Sequence, residues 1–157
     1  MICATILSVG KQKKGPLTQA AHELKVRLGP YMKVEEKHVA EVPFRSVSER
    51  ERVLMQEAAA LKRALPQDAV LVVLEATGKT FSSERFTELI WELSEQETRH
   101  LVFLLGGPLG VSDELKASAD LLLSFSPMTV PHDLARVILL EQLYRAATIK
   151  TGKTYHY

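Results

Sequence analysis

Two apolar runs in this 157-residue chain end in segments suited to holding a ligand through the backbone. Leu101-Val102-Phe103-Leu104-Leu105 breaks into Gly106-Gly107-Pro108-Leu109-Gly110, and Leu121-Leu122-Leu123 breaks into Ser124-Phe125-Ser126-Pro127-Met128-Thr129-Val130-Pro131-His132. A third run ends at Leu74-Glu75. Glycine permits close backbone approach, and proline stiffens the turn it enters. In open α/β sheets, ligands bind where loops leave the carboxyl ends of strands, so three such junctions predict one pocket. Ser126, Thr129 and the backbone groups of residues 127–130 can bond an adenine and a ribose, while Leu74, Phe125 and Met128 enclose the apolar parts. The ligand this suits is small and contains adenosine. The competing reading is Gly/Pro punctuation of a sheet that holds no ligand.

Other chemistries fail on spacing. The triplets Gly78-Lys79-Thr80 and Gly152-Lys153-Thr154 suggest a phosphate loop, but the glycine required five positions earlier is Val73 in one case and Ala147 in the other. The dinucleotide fingerprint has Leu105 where its first glycine belongs. No Gly-x-Ser-x-Gly elbow is present. The five histidines contain no His-x-x-x-His pair, so no metal is expected. His22, His38 and His100 fall on a helix, an edge strand and a strand start. His132 falls at the mouth of the predicted pocket and His156 near the C-terminus.

The elements that must position these residues are legible as periodicities. Residues 1–9 read as a strand ending at Gly10, followed by the basic loop 11–15. Leu17, Ala20, Ala21, Leu24 and Leu28 repeat at helical spacing up to Gly29-Pro30. Residues 32–39 form a half-polar edge strand. Ser48 and Glu51 have the spacing of a capping box, opening a helix through Leu65. Residues 69–74 are a fully apolar strand and 75–83 a loop. Phe86, Leu89, Ile90 and Leu93 mark a helical stripe, and residues 100–105 a strand. Ser112, Asp113 and Glu114 start a short helix, residues 121–125 form the last strand, and Pro131 and His132 open a helix to Lys150. Strand then helix, five times over, predicts an α/β fold: a parallel sheet covered on both faces. The last helix is apolar all round, which predicts burial on several sides and a homodimer interface on one of them.

Size and composition set bounds. The chain suits one domain over residues 1–157, large enough to bury a core without staples. Its only cysteine, Cys3, excludes a disulfide framework within the chain and reads as a buried thiol. No apolar run approaches the about 20 residues needed to cross a bilayer, and no signal peptide is apparent, so a cytoplasmic protein without membrane contact is expected. The net charge of +1 is unevenly spread. Residues 1–40 carry seven Lys/Arg against three acids, residues 41–120 nine against fourteen, and residues 121–157 four against two. Both ends are basic, which suits phosphates; ordinary solvated charge is the alternative.

At these residues the chain resembles the SPOUT class of knotted methyltransferases, and within it the ribosomal large-subunit RNA methyltransferase H family. The resemblance spans nearly the whole length. It is carried by Leu74-Glu75 with Gly78-Lys79, by Leu104-Leu105-Gly106-Gly107-Pro108-x-Gly110, by Met128-Thr129-Val130-Pro131-His132 with Ala135-Arg136-Val137, by Glu141-Gln142-Leu143-Tyr144-Arg145-Ala146, and by Tyr155-His156. It implies S-adenosylmethionine as methyl donor, and as acceptor N3 of a pseudouridine in bacterial 23S ribosomal RNA within the ribosome. It also implies a homodimer and a C-terminal trefoil knot, an exception to the rule against threaded chains. Donor binding would fall on Leu74, Gly106, Phe125, Ser126, Pro127, Met128, Thr129 and Val130.

The implied chemistry constrains the remaining roles. N3 of the base is an imide that must lose its proton, so the site must orient the base, tolerate negative charge and exclude water. His132 is a candidate proton acceptor, with helix capping as its structural alternative. Arg136 would stabilise the anion or hold a phosphate. Tyr155 and His156 would reach the target nucleotide, across the dimer, with the Tyr155 ring available to stack. The chain departs from the family pattern where it ends on Tyr157, a position usually basic, and where Glu75 replaces a common aspartate. A noncatalytic RNA or ribosome binder, and a methyltransferase of the same fold acting on transfer RNA, are the competing readings.

Overall fold

The computed structural model describes residues 1–95 and 100–155. Among them, five strands form one parallel sheet: β1 (Ile2–Val9), β2 (Met32–Val39), β3 (Val70–Lys79), β4 (Leu101–Leu105) and β5 (Leu121–Leu123), in the order β2-β1-β4-β3-β5. The helices α1 (Pro16–Leu28), α2 (Arg50–Ala64), α3 (Ser83–Glu95), α4 (Asp113–Ser118) and α5 (His132–Lys150) follow the strands in alternation. The expected α/β architecture is therefore the observed one. All strand carboxyl ends share one edge.

Each sheet face carries its own core. Ile6, Val34, Val72 and Phe103 pack with Ala21 and Leu28 of α1, Phe86 and Ile90 of α3, and Leu139, Leu140 and Leu143 of α5. On the other face Leu7, Val9, Val73, Val102 and Leu104 pack with Ala58 and Leu61 of α2 and Leu115 of α4. Cover on both faces explains why β4 is apolar at every position and buried throughout. Each fully buried Leu, Val or Phe contributes about 1.5–3 kcal/mol.

Four local expectations are corrected. The segment after Leu74 continues β3 to Lys79: a register shift lets both Leu74 and Lys79 pair with Leu123, and Ser124 N–H donates to the Lys79 carbonyl at 2.8 Å. Gly78 makes this possible, because a Cβ there would stand 2.6 Å from the Leu122 carbonyl oxygen. β5 ends at Leu123, two residues earlier than expected. The capping box is formed by Ser46 and Glu49, not Ser48 and Glu51, and opens a 3-10 turn, Val47–Glu49, ahead of α2. Cys3 is exposed: it precedes Ala4, the first residue of β1 to pair with β4, and so lies at the open end of the strand.

α5 lies between α1 and α3 on the sheet. Those neighbours and the sheet cover the helix on several sides within one chain. Among the described residues no helix is long and apolar enough to cross a membrane.

Candidate functional site

The C-terminal half of β3 and the loops after β4 and β5 meet the first turns of α5 around a cavity of about 490 Å³. That volume lies within the about 300–1,000 Å³ of small-molecule sites. The lining brings together seven of the sequence-selected residues: Leu74, Gly106, Phe125, Ser126, Met128, Thr129 and Val130. Pro127 is exposed and does not line it.

The turn after β4 is shaped by its glycines. Gly110 has φ +88°, a left-handed conformation, and its N–H donates to the Gly107 carbonyl at 3.0 Å. Gly106 has no such need, but a Cβ on it would stand 2.7 Å from the Gly110 carbonyl oxygen and from Val111 Cγ2. Gly106 is thus required for the turn to close on itself as well as for room in the cavity. A bulky residue there would disrupt the fold of the turn before it tested ligand contact.

The loop after β5 is held by serines. The Ser124 hydroxyl lies 2.9 Å from both the Ala76 and the Ser126 carbonyl oxygens, tying β3 to the loop after β5. Ser126 Oγ accepts the Met128 N–H at 3.0 Å. The Ser126 hydroxyl therefore serves its own loop, leaving backbone groups and Thr129 for a ligand. Met128, 78% exposed, and Val130, 40% exposed, stand at the rim.

Glu75 also lines the cavity, with Lys116 of α4 at 2.7 Å. The hydrogen bond and charge of Lys116 outweigh burial and hold the Glu75 carboxyl below the usual carboxylate range. Sequence reasoning named the Leu74-Glu75 junction but missed Lys116, because pairing between distant segments leaves no spacing signal. Leu105, Val111 and Ile138 were missed as wall residues, being indistinguishable in sequence from core.

His132, the first residue of α5, lines the cavity with its side chain 28% exposed. Pro131 occupies the N-cap and no side chain caps the helix, so His132 does not take the capping role offered as its alternative. Asp133 Oδ1, buried and without a hydrogen-bond partner, stands 3.2 Å from His132 Nε2. Arg136 does not line the cavity. Buried at 5% exposure, its Nε donates to Glu36 on β2. Tyr155 packs back on α5, edge-on to Tyr144 with ring centroids 4.7 Å apart and with the Arg145 guanidinium 5.2 Å from its ring. It does not reach the cavity of its own chain. His156, like Tyr157, lies outside the described residues. Among the described residues no three His, Cys, Asp or Glu side chains cluster as a metal site would require.

A family model described as "Predicted SPOUT methyltransferase" matches residues 2–156. The chain belongs to the SPOUT methyltransferase family. It is 40% identical over 153 residues to the Ribosomal RNA large subunit methyltransferase H of Desulfotalea psychrophila, covering 96% of this chain and 97% of that one. It is 38% identical over 155 residues to the protein of the same name from Natranaerobius thermophilus, covering 97% and 98%. Among solved structures it resembles a probable methyltransferase from Bordetella pertussis, with a TM-score of 0.59 at 13% identity over 92% of this chain and 93% of that one. That last likeness concerns the fold.

The cavity of this SPOUT methyltransferase fits an adenosyl group. Leu74, Leu105, Leu123, Phe125 and Ile138 offer an apolar wall, the turns at 106–110 and 125–130 offer backbone donors and acceptors, and Glu75 offers a carboxylate for hydroxyls. Space is open beside Gly110, where a Cβ would meet nothing within 4 Å.

Proposed function

We propose that this protein methylates large-subunit ribosomal RNA from S-adenosylmethionine, and that the atom methylated is N3 of a pseudouridine in 23S RNA. The observation that carries the reading is the convergence of the C-terminal half of β3 and the loops after β4 and β5 on one cavity, with His132 at its wall. Family membership and full-length relatives named for this activity support it.

Bound S-adenosylmethionine supplies an electrophilic methyl on a sulfonium. The chain supplies the rest. Leu74, Phe125 and the glycine turn hold the donor and exclude water, raising the effective concentration of the reacting pair. His132 accepts the imide proton on its imidazole, and Asp133 Oδ1, 3.2 Å from Nε2, is placed to accept from that nitrogen and to stabilise the imidazolium that forms. Arg136 acts from behind, holding the first turn of α5 to β2 through Glu36.

The working form in this reading is a cytoplasmic homodimer. Tyr155 turns away from its own cavity, and exposed Met128 and Val130 give the rim an apolar surface for a second copy. The bond of Ser124 N–H to the Lys79 carbonyl, with the Ser124 hydroxyl beside the Ala76 carbonyl, draws the chain after β5 against the end of β3, in keeping with a knotted path.

The test is methyl transfer from labelled S-adenosylmethionine to ribosomes, free large subunits, naked 23S RNA and transfer RNA, followed by mass mapping. Label at a 23S pseudouridine is expected. Label in transfer RNA would reassign the substrate, and donor binding without transfer to any of them would favour a noncatalytic binder. His132→Ala should slow transfer about 100-fold or more with donor affinity within about twofold. Unaltered turnover would remove His132 as proton acceptor.

A further inference from the structure

The basic loop between β1 and α1 has no part in the site described so far. Lys11, Lys13 and Lys14 are all exposed, and among the described residues none has a carboxylate within ion-pair distance. Gln12 between them is tied down, its Nε2 donating to Glu36 Oε2 at 2.6 Å. The same carboxylate takes Arg136 Nε and has Lys25 Nζ at 3.4 Å. One acid thus gathers the loop, α1 and the first turns of α5. Five cations (Lys11, Lys13, Lys14, Lys25 and Arg136) stand against two carboxylates here, Glu36 and the neighbouring Glu41, whose Oε2 is 3.2 Å from where a Cβ on Gly10 would be.

This patch adjoins the cavity on two sides. β1 pairs with β4, so the loop leaving β1 rises at the same sheet edge as the Gly106 turn, and a Cβ on Gly107 would stand 3.1 Å from Val9 Cγ1. Arg136 directly follows Ala135, which lines the cavity. Fixed by Gln12 and unpaired at the lysines, the loop presents its charge to solvent beside the place where the target base would enter.

We propose that the loop carrying Lys11, Lys13 and Lys14, backed by Lys25 and Arg136, is the surface on which the phosphate backbone of the substrate RNA lies while its target base enters the cavity mouth. The assignment rests on the reading of the protein as an RNA methyltransferase. Lysine suits the task because phosphate contacts position a nucleic acid without reading its sequence. The compact chain thereby gains an RNA footprint beside its donor site.

The test uses the full chain and three measurements: calorimetry with S-adenosylmethionine, binding of 23S RNA and large subunits across a salt series, and methyl transfer. The triple variant Lys11→Glu, Lys13→Glu, Lys14→Glu should bind RNA about 10- to 100-fold more weakly, with donor affinity and thermal midpoint unchanged. The slope of log affinity against log salt should fall by about 2, at about 0.7 for each single-strand phosphate that is no longer neutralised. Replacing the lysines by Gln should give a smaller loss in the same direction. As control, Lys62→Glu with Arg63→Glu adds negative charge on α2, across the sheet, and should leave RNA affinity within about twofold. If wild type methylates RNA while the triple variant keeps its affinity and slope, or if the control loses as much, this surface is wrong and the function stands. If wild type neither binds nor methylates RNA, the function falls and this inference with it.

Discussion

At the β2 end of the sheet α5 is held by charge, through Arg136 and Glu36, whereas at the β5 end the chain is held by backbone contacts too close for any Cβ. Glu36 gathers three donors from three segments, each on a side chain rather than on the backbone. Toward β5, Gly78 lies against the Leu122 carbonyl, Ser124 is bonded to Ala76 of β3, and after β4 Gly106 lies against the Gly110 carbonyl. The donor cavity sits at the end held by close backbone contacts. The basic surface sits at the end held by side-chain charge. A small donor of fixed shape rewards a rigid wall, while a polyanion is met by charge that can adjust.

The largest expected effect comes from breaking the rigid end. Gly78→Ala puts a Cβ 2.6 Å from the Leu122 oxygen, 2.7 Å from its carbonyl carbon and 3.0 Å from the Glu75 oxygen, all backbone atoms. None can rotate away, so β5 must shift from β3. The expected cost is at least about 3 kcal/mol, read as a lower thermal midpoint and as loss of S-adenosylmethionine binding by calorimetry. Normal donor affinity would mean that the C-terminal half of β3 and the loop after β5 move independently, and the contrast between the two ends would fail.

The same contrast governs what the sequence discloses. At the β2 end, Leu17 to Leu28 and the alternation of Met32 and Val34 are visible because helices and strands impose a period on burial. The buried runs of β3 and β4 and the glycine turn are visible for the related reason that parallel strands are covered on both faces. The continuation of β3 to Lys79 is not, since it depends on two carbonyls meeting at Gly78, and a glycine in a loop looks like any other. Glu75 with Lys116 and Glu36 with Arg136 are hidden because an ion pair between distant segments has no spacing. Arg136 illustrates the consequence. Ala135 before it and Ile138 two positions on line the cavity, yet at helical spacing its side chain turns toward β2. Cys3 departs from expectation because an apolar strand does not announce which of its ends lies open.

Removing charge at the adjustable end should cost less and spare the donor. Glu36→Gln keeps an acceptor for the Arg136 Nε–H but leaves a guanidinium 6% exposed without its counter-charge. A loss of about 2 kcal/mol is expected, below the full cost of breaking a buried pair, with donor affinity within about twofold. Burial opposes ionisation of Glu36, but Arg136, Lys25 and Gln12 together hold its carboxyl below the usual range. A carboxyl depressed on folding gives stability that is present above its unfolded value and lost as pH falls through its folded value. Wild type should therefore lose more stability than the variant from pH 5 downward, as followed by denaturant midpoints. Parallel curves would mean that Arg136 finds its compensation elsewhere.

The smallest effect is expected at Glu57, a carboxylate lying against the rigid end, and its sign is opposite. Glu57 on α2 is 3% exposed, its Oε1 accepts the Val42 N–H at 3.2 Å, and its Oε2 is 3.4 Å from where a Cβ on Gly107 would be. Among the described residues no cation pairs with it. Burial, with Glu41 adding repulsion, raises its carboxyl above the usual range despite the Val42 bond. For a carboxyl raised on folding, the favourable contribution is present below the unfolded value and is lost as pH rises through the folded one. Near neutral pH the ion is a cost. Glu57→Gln keeps the acceptor for Val42 and removes that ion, so its thermal midpoint at pH 8 should rise by about 2–4 °C, or about 1 kcal/mol for a chain of this size, and the gain should shrink toward pH 4. If the midpoint instead falls at pH 8, the ionised carboxylate is supporting the turn at Gly107, and the rigid end would owe part of its hold to charge after all.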